Sequence, residues 1–143
     1  MRIFDLEARK GGLINLPGIN MKKGDTKMKA IHYKEILPIV FENDQAKNLA
    51  GRLLIGQADG AKNFCMRIFE VGPEGHTPRH SHDWEHEIFI HEGKGEVLLK
   101  DEWKPISKGT AIFIPPNVEH QIKNTSDKPL FVICLIPSGA PEI

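Results

Sequence analysis

The stretch Arg79-His80-Ser81-His82-Asp83-Trp84-Glu85-His86-Glu87-Ile88-Phe89-Ile90 places three imidazoles within seven residues. In an extended chain, residues two apart point to the same side. His80 and His82 can therefore face one point together, with Arg79 and Ser81 turned outward. His86 joins them only if Asp83-Trp84-Glu85 folds the chain back. Left extended, the step from His82 to His86 would span roughly 13 Å, too far for a shared ion at about 2.1 Å per bond. A histidine pair, a short turn and a third histidine entering an apolar strand have the form of a metal site. The site needs a distant partner, and His120 supplies one. In Glu119-His120-Gln121-Ile122-Lys123 the histidine alternates with Gln121 and Lys123 and shares the apolar face with Ile122.

Outward from the histidines the chain reads as short strands at regular turn spacing. Phe64 to Val71 forms a strand ended by the turn Gly72-Pro73-Glu74-Gly75. The histidine stretch then runs into a strand over Glu87 to His91. Glu96 to Lys100 and Trp103 to Ile106 make a hairpin about Asp101-Glu102. Thr110 to Ile114 is a strand closed by Pro115-Pro116-Asn117, Val118 to Lys123 continues as a strand, and Leu130 to Ile136 is apolar on both faces. Before Phe64 the signal is weaker. Ile36 to Phe41 surrounds Pro38, which suits an edge strand or coil. Arg52 to Ile55 reads as a short strand, and a short helix is expected around Ala46 to Leu49. This pattern, with little helical periodicity, predicts an all-β sandwich or barrel.

A chain of 143 residues fits one domain with a single sizeable core. Residues 30–143 form the expected β-domain. Residues 1–29 read as an extension, with Gly11-Gly12, Pro17-Gly18 and a polar run from Met21 to Lys27. Leu13, Ile14, Leu16 and Ile19 would let it dock on the body or on a partner subunit. With 19 basic and 19 acidic side chains the formal net charge is zero, and no basic stripe stands out. Nucleic acid and membrane surfaces are therefore not expected partners. No apolar run approaches the roughly 18 residues of a membrane span, and the first residues lack a signal peptide's apolar region, so a cytoplasmic protein is expected. Cys65 and Cys134 are far apart and lie in apolar runs, which suits two buried reduced thiols.

The two histidine segments resemble the paired motifs of the cupins. The first motif is matched by Gly75, His80-x-His82, His86 or Glu87, and Gly93. The second is matched by Gly109, Pro115, Asn117, His120 and Asn124. Asn117 stands where the family has a glycine, and both tolerate left-handed turn conformations. The first glycine lies nearer the histidines than is usual. The resemblance covers about residues 50 to 137 and implies a double-stranded β-helix, the jelly-roll barrel, in a small single-domain member. Most cupins bind their metal with three histidines and a glutamate. Here His86, Ile88 and Ile90 share one face while Glu87, Phe89 and His91 share the other. The two β-branched residues favour the His86 face as interior, and Phe89 keeps Glu87 open as the alternative ligand. The run is similar to the four-histidine members, which makes His80, His82, His86 and His120 the expected metal ligands. Glu87, facing away, would then support a ligand from behind. His32, His76 and His91 have no such company and are expected at the surface or in loops.

Four neutral imidazoles suit one divalent transition ion. Manganese or iron is favoured, with nickel, copper and zinc as alternatives. The resemblance implies three functions: an oxidoreductase of dioxygenase type acting on a small organic substrate, a non-redox isomerase or lyase in which the ion polarises a carbonyl, or a binding protein without turnover. The oxidoreductase is the expectation. No general acid or base stands beside the ligands, and the small-molecule substrate has no signature in the chain. A homodimer is expected, because an exposed sheet edge invites a partner and small cupins commonly pair.

Overall fold

A computed structural model describes residues 28–143. The expected extension over residues 1–29 lies almost wholly outside this range. Nine strands follow in order: β1 Ile39–Phe41, β2 Lys47–Ile55, β3 Phe64–His76, β4 His86–Glu92, β5 Lys94–Leu99, β6 Glu102–Ser107, β7 Ala111–Ile114, β8 His120–Lys123 and β9 Leu130–Pro137. Among the described residues the only helical pieces are two short 3-10 turns, Tyr33–Glu35 and Gln57–Asp59. The strands form one antiparallel sheet in the order β6-β5-β8-β3-β9-β4-β7, with β1 and β2 added beside β3. The sheet curls upon itself as an all-β barrel of the jelly-roll type. No described helix is long and apolar enough to cross a membrane.

Two-residue alternation builds the interior. On β9, Leu130, Val132, Cys134 and Ile136 are buried while the residues between them are half-buried. On β4, His86, Ile88 and Ile90 face in, and Glu87, Phe89 and His91 face out. Val71, Val97, Ile106, Ile112, Ile114 and Ile122 complete most of the core. Its β-branched residues suit a pleated, two-sided wall. Asn124, buried at the end of β8, donates to the carbonyls of Val71 and Lys128 at 2.8 and 2.7 Å. It thereby locks the turn between β8 and β9. At the turn before β8, Asn117 takes φ 64°, the left-handed conformation that asparagine tolerates. Gly93, at φ 87°, leaves no room for a Cβ against the Pro129 carbonyl.

Several elements differ from the sequence expectation. The helix expected at Ala46–Leu49 is the start of β2, a nine-residue strand paired on both edges with β1 and β3. Four residues are too few to nucleate a helix against two partners that offer ladder hydrogen bonds. The expected turn at Gly72–Gly75 is instead part of β3, which continues to His76. The register jumps from Leu49↔Val71 to Lys47↔His76, so the extra residues are absorbed as a wide bulge, with Asn48 and Glu74 at positive φ. Pro73 is tolerated there because a bulge asks for no ladder donor. The β5–β6 hairpin turns at Lys100-Asp101, one residue earlier than expected, since Leu99 pairs with Glu102. As expected, β1 is an edge strand, pairing only with β2.

Candidate metal centre

Each histidine of the site reaches it by a different backbone device. His86 opens β4 with its side chain on the buried face, and Glu87 beside it is exposed. His120 opens β8 and is buried. The segment holding His80 and His82 is not the regular strand that the spacing suggests. It is an extended loop fixed by one bridge, in which the backbones of His80 and His120 exchange hydrogen bonds at 3.2 and 2.9 Å. The His82 carbonyl accepts from the Asn117 backbone N–H at 2.7 Å, which ties this loop to the turn before β8. Asp83-Trp84-Glu85 then doubles the chain back, as the three-histidine reading requires. Arg79 faces out and pairs with Glu119 at 2.7 Å.

The four rings converge. One potential ligand atom from each of His80, His82, His86 and His120 lies within 4.8 Å of the others. Two donors on opposite sides of one ion, with bonds of about 2.1 Å, would stand about 4.2 Å apart. On three of the rings the nitrogen turned away from the centre is occupied. His82 Nδ1 lies 2.8 Å from the Trp84 carbonyl, and His120 Nδ1 lies 2.9 Å from that of Val118. His86 Nδ1 lies 3.1 Å from Cys134 Sγ. With Nδ1–H donating in each case, the Nε2 lone pairs point inward, and those of His82 and His86 are only 2.7 Å apart. Two lone pairs facing each other at that distance repel unless a cation lies between them. The donor set therefore fits a divalent transition ion.

Electrostatics hold the rings in the ligating, neutral form. Burial pushes all four below the ordinary histidine value. For His80 the neighbouring His120 and His82 add to burial, and its value falls to about 4. His86 is held furthest down, by burial first and then by the charge of Arg67. Carbonyl acceptors at Trp84 and Val118 partly counter the fall at His82 and His120. His80 and His82 are the more open members of the group and His86 and His120 the closed ones, so the site is more exposed on the His80 side. Trp84 stacks on the His82 ring at 3.9 Å between centroids and 5° between planes. It thus packs one ligand ring against the core.

The other histidines lie elsewhere. His32 caps the first 3-10 turn, His76 pairs with Gln121 at the end of β3, and His91 is exposed. The residue that sequence reasoning missed is Arg67. It lies on the interior face of β3, opposite Cys134 of β9, and is only 8% exposed. Its Nη2 donates to Cys134 Sγ at 3.0 Å and stands 3.5 Å from His86 Nδ1. Parity with Cys65 and Val71 was the available signal, since the same alternation that buries them turns Arg67 inward.

Comparisons with known proteins agree with the fold. The family model described as Cupin domain matches residues 67–136. The structure of the polyketide cyclase RemF from Streptomyces resistomycificus superposes with a TM-score of 0.74 at 33% identity, covering 80% of this chain and 83% of that one. An uncharacterized protein of Methanocaldococcus jannaschii is 39% identical over 74 residues, 51% of this chain and 58% of the relative. Glucose-6-phosphate isomerase of Thermococcus onnurineus is 29% identical over 96 residues, 59% of this chain and 51% of that protein. The chain thus spans about half the length of the curated relatives it matches.

Proposed function

The chain belongs to the cupin family, and from that premise we propose that it is a metal-dependent enzyme of the Lewis-acid kind, acting on a small carbonyl compound by isomerisation, cyclisation or elimination. The observation that carries this reading is the all-nitrogen site: four converging imidazoles with no carboxylate among them. His80, His82, His86 and His120 would hold one divalent transition ion. Such an ion, when bound, supplies an electrophile that polarises a substrate carbonyl and favours its enolate. The chain's own residues do the rest. Trp84 fixes the His82 plane, the Asn117 N–H fixes the His82 backbone, and the opening past His80 admits the substrate.

The oxidoreductase expected from the sequence is the second reading, and manganese or iron in an all-nitrogen site supports it. Electrostatics weigh against it. Neutral ligands with the Arg67 guanidinium behind them disfavour the further positive charge that oxidation of the centre requires. The names of two relatives, an isomerase and a polyketide cyclase, lean the same way. The test compares protein loaded with zinc and with manganese. Proton exchange into deuterated solvent is followed next to the carbonyl of small oxo compounds, together with oxygen uptake. Exchange with both metals and no oxygen uptake supports the Lewis-acid reading. Turnover only with manganese or iron, with oxygen consumed, supports the oxidoreductase, and inactivity with every metal leaves a binding protein.

We further propose a homodimer. The outer face of β4 and β7 exposes Phe89 at 46% and Phe113 at 56%, beside half-buried Ile133 and Leu135 of β9. These residues flank the exposed Glu87, which stands between Phe113 and Leu135 on the back of the site-bearing sheet, and a second copy offers the same mixed surface in return.

A further inference from the structure

Arg67 is an anomaly in its surroundings. A guanidinium is charged at every physiological pH, and burying it without a counter-charge costs several kcal/mol, so buried arginines are ordinarily paired. Arg52, largely buried and likewise with one unbonded nitrogen, still has a counter-charge in Glu70 at 3.6 Å, and the exposed Arg79 pairs with Glu119 at 2.7 Å. Arg67 has no carboxylate within 4 Å among the described residues. Its Nε is buried without a hydrogen-bond partner, and its plane lies over the Phe69 ring at 5.1 Å. Its two polar neighbours are Cys134 Sγ at 3.0 Å and His86 Nδ1 at 3.5 Å, and neither is a carboxylate. An apolar side chain of the same volume would fold more cheaply here. A charge retained against its own folding cost, next to a binding site, is the signature of a residue kept for function.

We infer that Arg67 sets the charge of the centre, so that the substrate is an anion: a small carboxylate or other oxyanion-bearing carbonyl compound that supplies the negative charge the chain withholds. The inference rests on the proposed metal centre and names its substrate class. With a divalent ion on four neutral imidazoles and a guanidinium behind His86, the site would present three positive charges and no carboxylate ligand, the nearby Glu87 standing on the outer face. An anionic ligand settles into that field, and a neutral ligand of the same shape does not gain from it. Arg67 acts through the field and through His86 rather than by gripping the substrate, which makes it a specificity-determining residue.

The test uses acetate and acetamide, which have nearly the same shape and differ in charge. Cobalt-loaded full-length protein is titrated with each, and binding is read from the visible spectrum of the ion. Arg67→Met should lower acetate affinity at least tenfold and change acetamide affinity less than twofold, while Arg67→Lys keeps most of the acetate affinity. A second arm uses the metal-free protein. There Arg67→Met should melt at or above the wild-type temperature, and added acetate should raise the wild-type melting temperature but not that of the variant. Equal losses for acetate and acetamide, or no loss for either, would overturn the inference. Failure of the wild type to take up cobalt defeats the metal centre instead. The metal-free arm then judges Arg67 alone, and an equal acetate shift in wild type and Arg67→Met, or none in either, rejects its role. If Arg67→Met does not fold, Arg67→Gln replaces it in both arms, and loss of fold in both variants rejects the claim that the charge is held against stability.

Discussion

Replacing Cys134 should weaken metal binding, although its sulfur is not one of the four converging ligands. Cys134 Sγ lies 3.0 Å from Arg67 Nη2 and 3.1 Å from His86 Nδ1, so one atom accepts from two buried donors. Cys134→Ala removes that acceptor. Each of the two buried donors left unpaired costs about 1–3 kcal/mol, and the lost thiol volume adds about 1 kcal/mol, so the metal-free protein should lose roughly 3–7 kcal/mol. His86 also loses the contact that sets its tautomer and tilt. Removing such a support behind a ligand typically lowers metal affinity about 10–100-fold, or about 1.4–2.7 kcal/mol. Cys134→Ser, which keeps an acceptor, should lose less than half of this. Cys65→Ala is the control: Cys65 is equally buried, on the same inner wall, and touches none of the rings. It should cost about 1–2 kcal/mol of packing and leave metal affinity unchanged. Affinity is measured by competition with a chelator of known strength, and stability by denaturant titration of the metal-free forms. If Cys134→Ala and Cys65→Ala bind metal equally well, the sulfur does not support His86 and the reasoning fails.

Three further outcomes are expected. His86→Ala should remove most of the bound ion while Glu87→Ala leaves it in place, because His86 is buried on the inner face and Glu87 is exposed; elemental analysis showing the reverse order would make this a three-histidine, one-carboxylate site. The four histidines are held below their ordinary value, so the unfolded chain binds more protons than the folded one as pH falls from about 6.5 toward the value of about 4 at His80. The metal-free protein should therefore be fully stabilised above that window and lose stability through it, and melting curves that stay flat there, or that match those of a His120→Gln variant, would contradict the assignment. Charged substitutions on the outer face, Phe89→Lys with Phe113→Lys, should convert a dimer to monomers without removing the metal; sedimentation showing a wild-type monomer, or an unaffected double variant, would refute the interface.

Much of the candidate site was legible in the chain itself, because its grouping is a short-range matter. Alternation alone puts His80 with His82, and His86 with Ile88 and Ile90. Trp84 and its neighbours could only turn the chain back if His86 was to meet the pair. His120 was readable for the same reason, since Ile122 beside it marks the inward face. Glycine, asparagine and proline at 93, 115, 116 and 117 likewise marked turns whose backbone requirements are local. Alternation says which side a residue faces but not which residue it meets there. That depends on register, which belongs to two strands together. Arg67 and Cys134 are 67 residues apart in sequence, and only the pairing of β3 with β9 brings them behind His86. The sequence pattern ends this strand at Val71 while β3 runs on to His76, because its bulge is sustained by contacts with β2, notably Asn48 Nδ2 on the Pro73 carbonyl at 3.1 Å. Local chemistry therefore determined which residues could form the centre, while cross-strand register decided what stands behind them and so the charge the centre presents.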